Sequence, residues 1–116
     1  MNGAYDFFEK GKKLLSSKEF LRAIMFLEKA KEMEPHKSSI RESLAQAYYN
    51  CGLYESAREN FEKVLEIDAT NDYAHYGLGL CLLKKGKIEK AMGHIKMAVA
   101  MKPGFKLYRE TLEKLS

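Results

Sequence analysis

Three glycines beside two lysines, in the stretch AHYGLGLCLLKKG at residues 74–86, are the first candidates for chemistry. Glycine-rich loops let backbone N–H groups close on a phosphate. A dinucleotide fingerprint needs a strand before the glycines and a third glycine where this chain has Leu82. A Walker-type loop needs wider glycine spacing and a lysine followed by Ser or Thr. Gly77, Gly79 and Gly86 meet neither requirement. His36, His75 and His94 lack the i, i+4 spacing of a helical zinc pair and read as surface or satisfied histidines. Cys51 and Cys81 stand alone, without CxxC spacing, and read as small buried hydrophobes rather than a disulfide or a zinc site. The acidic residues are scattered over solvent faces, so no nucleophile with its base can be assembled. The expectation is a non-enzyme with no catalytic residue, no metal and no cofactor.

Composition narrows the class further. The 116 residues make room for one domain, or for a few small repeats sharing a core. With 46% hydrophobic and 31% charged residues the chain reads as globular, and its two prolines leave long stretches free to be helical. Asp6 and Glu9 interrupt the apolar core a signal peptide would need, and no later run approaches the roughly 18 apolar residues of a membrane span. A cytoplasmic protein without membrane insertion is expected. The formal net charge is +4, distributed as +2 over residues 1–37, −3 over 38–71 and +5 over 72–116. The acidic middle breaks any continuous basic track, which argues against nucleic acid. Lys84, Lys85, Lys87 and Lys90 leave a local cationic patch, of the kind that normally faces solvent at a helix end.

The elements that position these residues follow from an internal repeat. At an offset of 34, Ala23 falls on Ala57 and Ala91, Leu27 on Phe61 and Ile95, and Ala30 on Val64 and Ala98. Leu14 falls on Tyr48 and Leu82, Gly11 on Ala45 and Gly79, and Pro35 on Ala69 and Pro103. Such a period signals a stacked repeat. Within each unit the apolar residues follow helical spacing twice, with short breaks at 16–19, 50–53 and 85–87, so each unit is expected to be a helical hairpin. Small residues at 11, 45 and 79 and alanines at 23, 57 and 91 let the paired backbones approach where they cross. Gly52 and Gly86 end first helices, where left-handed backbone is easy for glycine. Pro35 and Pro103 stop second helices. Gly77, in mid-helix, costs about 1 kcal/mol relative to alanine and is read as leaving room for a ligand backbone.

The period, the small residue at 11, 45 and 79, the alanine at 23, 57 and 91 and the proline at 35 and 103 resemble the tetratricopeptide repeat family. The resemblance implies an all-α, right-handed solenoid of antiparallel hairpins. Its units run 4–37, 38–71 and 72–105, with a capping helix at 106–116, as a single domain over 1–116. The chain departs from the family pattern where Phe7, Arg41 and His75 replace the usual early Trp, at Lys10, and at Ala69. The first unit carries Asp6, Lys10, Lys13 and Ser17 on the face where the later units have Ile40, Leu44, Ala47 and Cys51, then Ala74, Leu78 and Cys81. A polar face suits a terminal repeat. The stripe of Tyr108, Leu112 and Leu115 suits a cap over the third unit. The array is therefore expected to be complete.

In the family, the first helix of each hairpin lines a concave groove. Carried over, this assigns Tyr5, Phe8, Glu9, Lys12 and Leu15 from the first unit. The second gives Ser39, Glu42, Ser43, Gln46, Tyr49 and Asn50, and the third gives Tyr73, Tyr76, Gly77, Leu80, Leu83 and Lys84. The expected function is an adaptor or scaffold holding a protein or peptide segment there, with aromatic anchors. Tyr49 and Tyr76 are aromatic in this family for packing reasons, so Tyr5, Phe8 and Tyr73 say more about a partner. Family members that clamp the carboxylate of chaperone tails use Lys, Asn and Arg at positions matching Phe8, Lys12, Ser43, Tyr73 and Gly77. Only one cation survives here, and three-repeat secretion chaperones with apolar grooves are the nearer comparison. The alternative is a homodimer through Met25 and Phe26, which replace Glu59, Asn60, Gly93 and His94 of the later units.

Overall fold

The computed structural model describes residues 3–116. Met1 and Asn2, at the head of the stretch read against a signal peptide, lie outside it. Three hairpins follow one another: α1 (Ala4–Ser16) with α2 (Phe20–Met33), α3 (Ser38–Asn50) with α4 (Tyr54–Ile67), and α5 (Asp72–Lys84) with α6 (Ile88–Met101). A seventh helix, α7 (Lys106–Leu115), packs on the third. Helices α1, α3, α5 and α7 begin 34 residues apart, so the period seen in the sequence is the pitch of the stack. The body measures 49 × 25 × 23 Å, as expected when each hairpin touches only its neighbours. Among the described residues, no helix is long and apolar enough to cross a membrane.

The turns inside the hairpins share one geometry. Leu53 N donates to Tyr48 O at 2.9 Å and Gly52 N to Tyr49 O at 3.0 Å, and Lys87, Gly86, Leu82 and Leu83 repeat the pattern. This pair of hydrogen bonds requires a left-handed residue after the helix, supplied by Gly52 at φ 79° and Gly86 at φ 77°. The first hairpin makes the same turn with Lys18, at φ 63°.

Where the paired helices cross, the small residues do what their spacing implied. A Cβ on Gly11 would lie 2.5 Å from Leu27 Cγ, and one on Gly79 would lie 2.7 Å from Ile95 Cγ1. Ala23, Ala45, Ala57 and Ala91 have no exposed surface. Proline is not essential at the hairpin ends. α4 stops at Ile67 without one, because Asp68 Oδ1 accepts from Thr70 N at 3.0 Å and Asn71 Oδ1 accepts from Ala74 N at 2.8 Å. These side chains divert the backbone into a turn and then cap α5.

Burial is uneven along the stack. α5 buries Ala74, His75, Tyr76, Gly77, Leu78, Gly79, Cys81 and Leu82, against only Gly11 and Leu14 from α1. Asp6, Lys10 and Lys13 of α1 and Ser17 just after it are all exposed. Tyr108, Leu112 and Leu115 of α7 close over Tyr76, Ile95, Ala98 and Val99. Cys51 and Cys81 are both free thiols. Cys81 is buried as expected, which pushes its thiol up to about 11, and Cys51 is only partly covered.

Candidate functional site: a groove along the first helices

The first helices lie side by side and present one face to a continuous groove. Toward its α7 side is a pocket of about 260 Å³, walled by Gln46, Tyr49 and Asn50 of α3 and by Tyr73, Tyr76 and Leu80 of α5. Phe61, Gly77 and Leu107 complete it. A shallower cleft adjoins it, lined by Phe8 and Lys12 of α1, by Ser39, Glu42, Ser43 and Gln46 of α3, and again by Tyr73. Gln46 and Tyr73 border both, so the two are parts of one surface.

Of the residues assigned to the groove from sequence, Phe8, Lys12, Ser39, Glu42, Ser43, Gln46, Tyr49, Asn50, Tyr73, Tyr76, Gly77 and Leu80 come together in these two depressions. Tyr5, Glu9, Leu15, Leu83 and Lys84 line neither, and Leu15 packs against the core of the first hairpin. Tyr5 is 71% exposed near the start of α1, and Glu9 pairs with Lys12 at 3.2 Å. Leu83 turns inward against the cluster that α7 closes. The Lys84 ammonium sits 5.4 Å from the centre of the Tyr54 ring.

One reading needs correction, and one packing role is specified. Gly77 leaves no room for a ligand backbone, because the Phe61 ring already occupies the space a Cβ would take. Phe61 stands where the other hairpins have Leu27 and Ile95, and its larger ring is accommodated by a residue without a side chain. Tyr76 is only 7% exposed. Its ring lies 4.6 Å from that of Tyr108 and its hydroxyl hydrogen-bonds Thr111 Oγ1 at 2.9 Å, so it holds α7 in place and offers the groove an edge. Leu107 was missed. It is half exposed beside the buried Tyr108 and forms the α7 wall of the pocket.

The charges of the groove are few and unequal. Lys12 is engaged twice, by Glu9 and by the Phe8 ring, 4.7 Å from its ammonium. Glu42 forms no ion pair among the described residues. Partial burial raises its carboxyl above the ordinary value, the Asn71 amide opposes this, and the charges of Asp72 and Asp68 push it further. Burial and then the charge of Glu42 push Tyr73 up to about 12, so its hydroxyl keeps its proton. Its ring packs edge-on against Phe61 at 5.7 Å. Nothing here forms a nucleophile with a base. The surface is an apolar depression bordered by a carboxylate.

On the far side of the hairpins, the positions that replace the family's early Trp make cross-helix pairs. Phe7 stacks with Phe26 at 6.4 Å. One repeat on, Arg41 Nη1 donates to Asn60 Oδ1 at 3.3 Å and its Nε to Pro35 O at 3.0 Å. One further, His75 Nδ1 lies 3.1 Å from His94 Nδ1, with His75 Nε2 3.0 Å from Ala69 O. A carbonyl only accepts, so His75 Nε2 carries a proton and His94 Nδ1 donates to the bare His75 Nδ1. Phe26 is thus a packing residue, further covered by the ammonium groups of Lys10 and Lys29. Met25 alone of the pair is exposed, at 56%.

Comparison with known proteins agrees with this architecture. A family model described as the TPR repeat matches residues 45–86. The anaphase-promoting complex subunit CDC16 of Saccharomyces cerevisiae is 31% identical over 102 residues, an alignment covering 82% of this chain. The chain spans 12% of that protein's length. Among solved structures, the first TPR domain of Spaghetti (RPAP3), bound to the HSP90 peptide SRMEEVD, superposes with a TM-score of 0.91 at 19% identity. It is matched over 97% of this chain and 89% of its own. YrrB, described as a TPR protein with an unusual peptide-binding site, gives 0.91 at 23% identity over 97% of this chain and 58% of its own. The type III secretion chaperone SycD of Yersinia enterocolitica, in complex with a peptide of the translocator YopD, gives 0.82 at 14% identity over 96% and 85%. The chain thus matches the tetratricopeptide repeat over residues 45–86, and its 34-residue hairpins with glycine and alanine crossings carry the same architecture through the whole stack.

Proposed function

We propose that this chain is a non-catalytic adaptor that holds a segment of another protein in the groove along α1, α3 and α5, with α7 as the far wall. The observation that carries this reading is the pocket between Tyr49, Tyr73, Leu80 and Leu107. It is apolar, preformed and open on one side, so an incoming side chain meets a rigid seat and little ordering is needed. Three solved relatives in fold are described as holding peptides or having a peptide-binding site, which supports the same use here. An acidic tail such as SRMEEVD would find one cation, Lys12, already engaged by Glu9, so chaperone-tail clamping is disfavoured.

The test is affinity capture from cell lysate with the wild type, Leu107→Glu and Leu80→Gln, each first verified as folded by its melt. Partners retained by the wild type and lost from both variants are expected. Equal recovery by all three would place binding elsewhere and remove the groove reading. A second reading, self-association, rests on Leu21 and Met25, one turn apart on α2 and 71% and 56% exposed. Sedimentation over a hundredfold concentration range checks it, and a monomer throughout would eliminate it.

A further inference from the structure

We infer that the groove selects a segment in which a bulky apolar side chain stands two residues from a lysine or arginine. The apolar side chain seats in the pocket between Tyr49, Tyr73, Leu80 and Leu107, and the cation meets Glu42. This rests on the groove reading and adds the chemistry of the occupant.

The argument is one of shape and charge complementarity. A depression of about 260 Å³ lined mainly by aromatic and leucine side chains, with Gln46 and Asn50 beside them, accepts one large hydrophobic side chain and holds no charged group to pair with a charged one. The adjoining cleft contains two opposite charges, Lys12 and Glu42. Lys12 is neutralised by Glu9 at 3.2 Å and lies against Phe8, whereas Glu42 has no cationic partner among the described residues. The further charges acting on Glu42 are those of Asp72 and Asp68, which reinforce its sign. Asp72 is itself drawn toward Lys102, at 3.6 Å, and accepts from the Tyr108 hydroxyl at 2.7 Å. The field an incoming chain meets beside the pocket is therefore negative, and a half-buried carboxylate favours a cation more strongly than an exposed one does. The spacing follows from the shared walls: Gln46 and Tyr73 border both depressions. An extended chain carries same-face side chains about 7 Å apart at i and i+2, which matches adjoining subsites.

A displayed library of random dodecapeptides, selected on the folded wild-type chain, provides the test. Enriched peptides are then measured by fluorescence polarisation against wild type, Glu42→Gln, Glu42→Lys and Leu107→Glu. The expected sequences carry Leu, Met, Phe or Tyr two positions from Lys or Arg. Glu42→Lys should weaken them by about tenfold or more, with a smaller loss for Glu42→Gln. Reselection on Glu42→Lys should replace the basic residue by Asp or Glu. Peptides that depend on Leu107 but carry no basic residue, or that ignore both changes at Glu42, would overturn this inference and leave the groove reading standing. Peptides unaffected by Leu107→Glu, or no enrichment at all, would overturn the groove reading itself.

Discussion

A lysine with left-handed backbone is the least comfortable residue in the chain. Lys18 closes the first hairpin at φ 63°, where the other two hairpins use glycine. Outside glycine, that conformation costs on the order of 1–2 kcal/mol, partly offset by the greater freedom glycine has when unfolded. Lys18→Gly should therefore stabilise the chain by about 1 kcal/mol, read as a rise in the urea midpoint; a fall would mean that Lys18 makes a compensating contact. His94 gives a second prediction at this scale. Burial, and then the charge of His75, lower its affinity for a proton from the ordinary 6.5, against a smaller opposing effect of Glu62. Below about pH 6.5 the unfolded chain binds this proton and the folded chain resists it, so stability falls as pH falls through that window. In addition, protonating both rings would set N–H against N–H across the 3.1 Å contact. His94→Asn restores the residue type that the second hairpin uses at Asn60 and should flatten the loss between pH 7 and pH 5 relative to wild type, measured by urea unfolding at both pH values. An unchanged slope would show that other groups carry the acid sensitivity.

Between elements, the decisive contact is the one that links neighbouring hairpins through Phe61 and Gly77. Gly77→Ala improves helix propensity by about 1 kcal/mol but places a methyl group inside a rigid ring that is only 2% exposed. Overpacking of this kind costs about 1–3 kcal/mol, so a net destabilisation is expected. In a Phe61→Leu background, the side chain used by the first hairpin, the same change should become neutral or stabilising. A double-mutant cycle by urea unfolding measures the coupling, and additive effects would refute the contact. This scale also shows what was legible in the sequence. Residues 11, 45 and 79 must stay small for the same geometric reason in every hairpin, so they recur and disclose the period. Gly77 and Phe61 deviate from the repeat together, and sliding the chain on itself registers each only as an exception. The pairs at 7 and 26, 41 and 60, and 75 and 94 occupy one register but use stacking, an amide and two imidazoles. With no shared residue type, their pairing left no trace. Leu107 was hidden because α7 was read only for its inward stripe, and the residue next to Tyr108 faces the groove.

At the scale of the whole molecule, stability is set by nearest neighbours along the stack, so it should be graded rather than uniform. α5 lies between α4, α6 and α7 and buries most of its length, whereas α1 buries only Gly11 and Leu14. Opening α1 exposes less apolar surface than opening α5 and need not disturb the third hairpin. Opening α5 breaks its packing with Phe61 on one side and with Ile95 and Tyr108 on the other. Native-state hydrogen exchange of the 116-residue chain should therefore show the slowest amides in α4 and α5 and the fastest helical amides in α1, with the α1 class insensitive to low urea. Leu78→Ala, at the junction of the second and third hairpins and 5% exposed, should cost about 2–5 kcal/mol. It should accelerate exchange in α4 and α5 far more than in α1. A single exchange rate shared by all seven helices would mean that the stack opens as one unit. The groove would then lose its shape only on global unfolding. If the gradient holds, the α5 and α7 walls of the apolar pocket stand on the firm part of the molecule, and Phe8 and Lys12 of α1 form the adaptable edge.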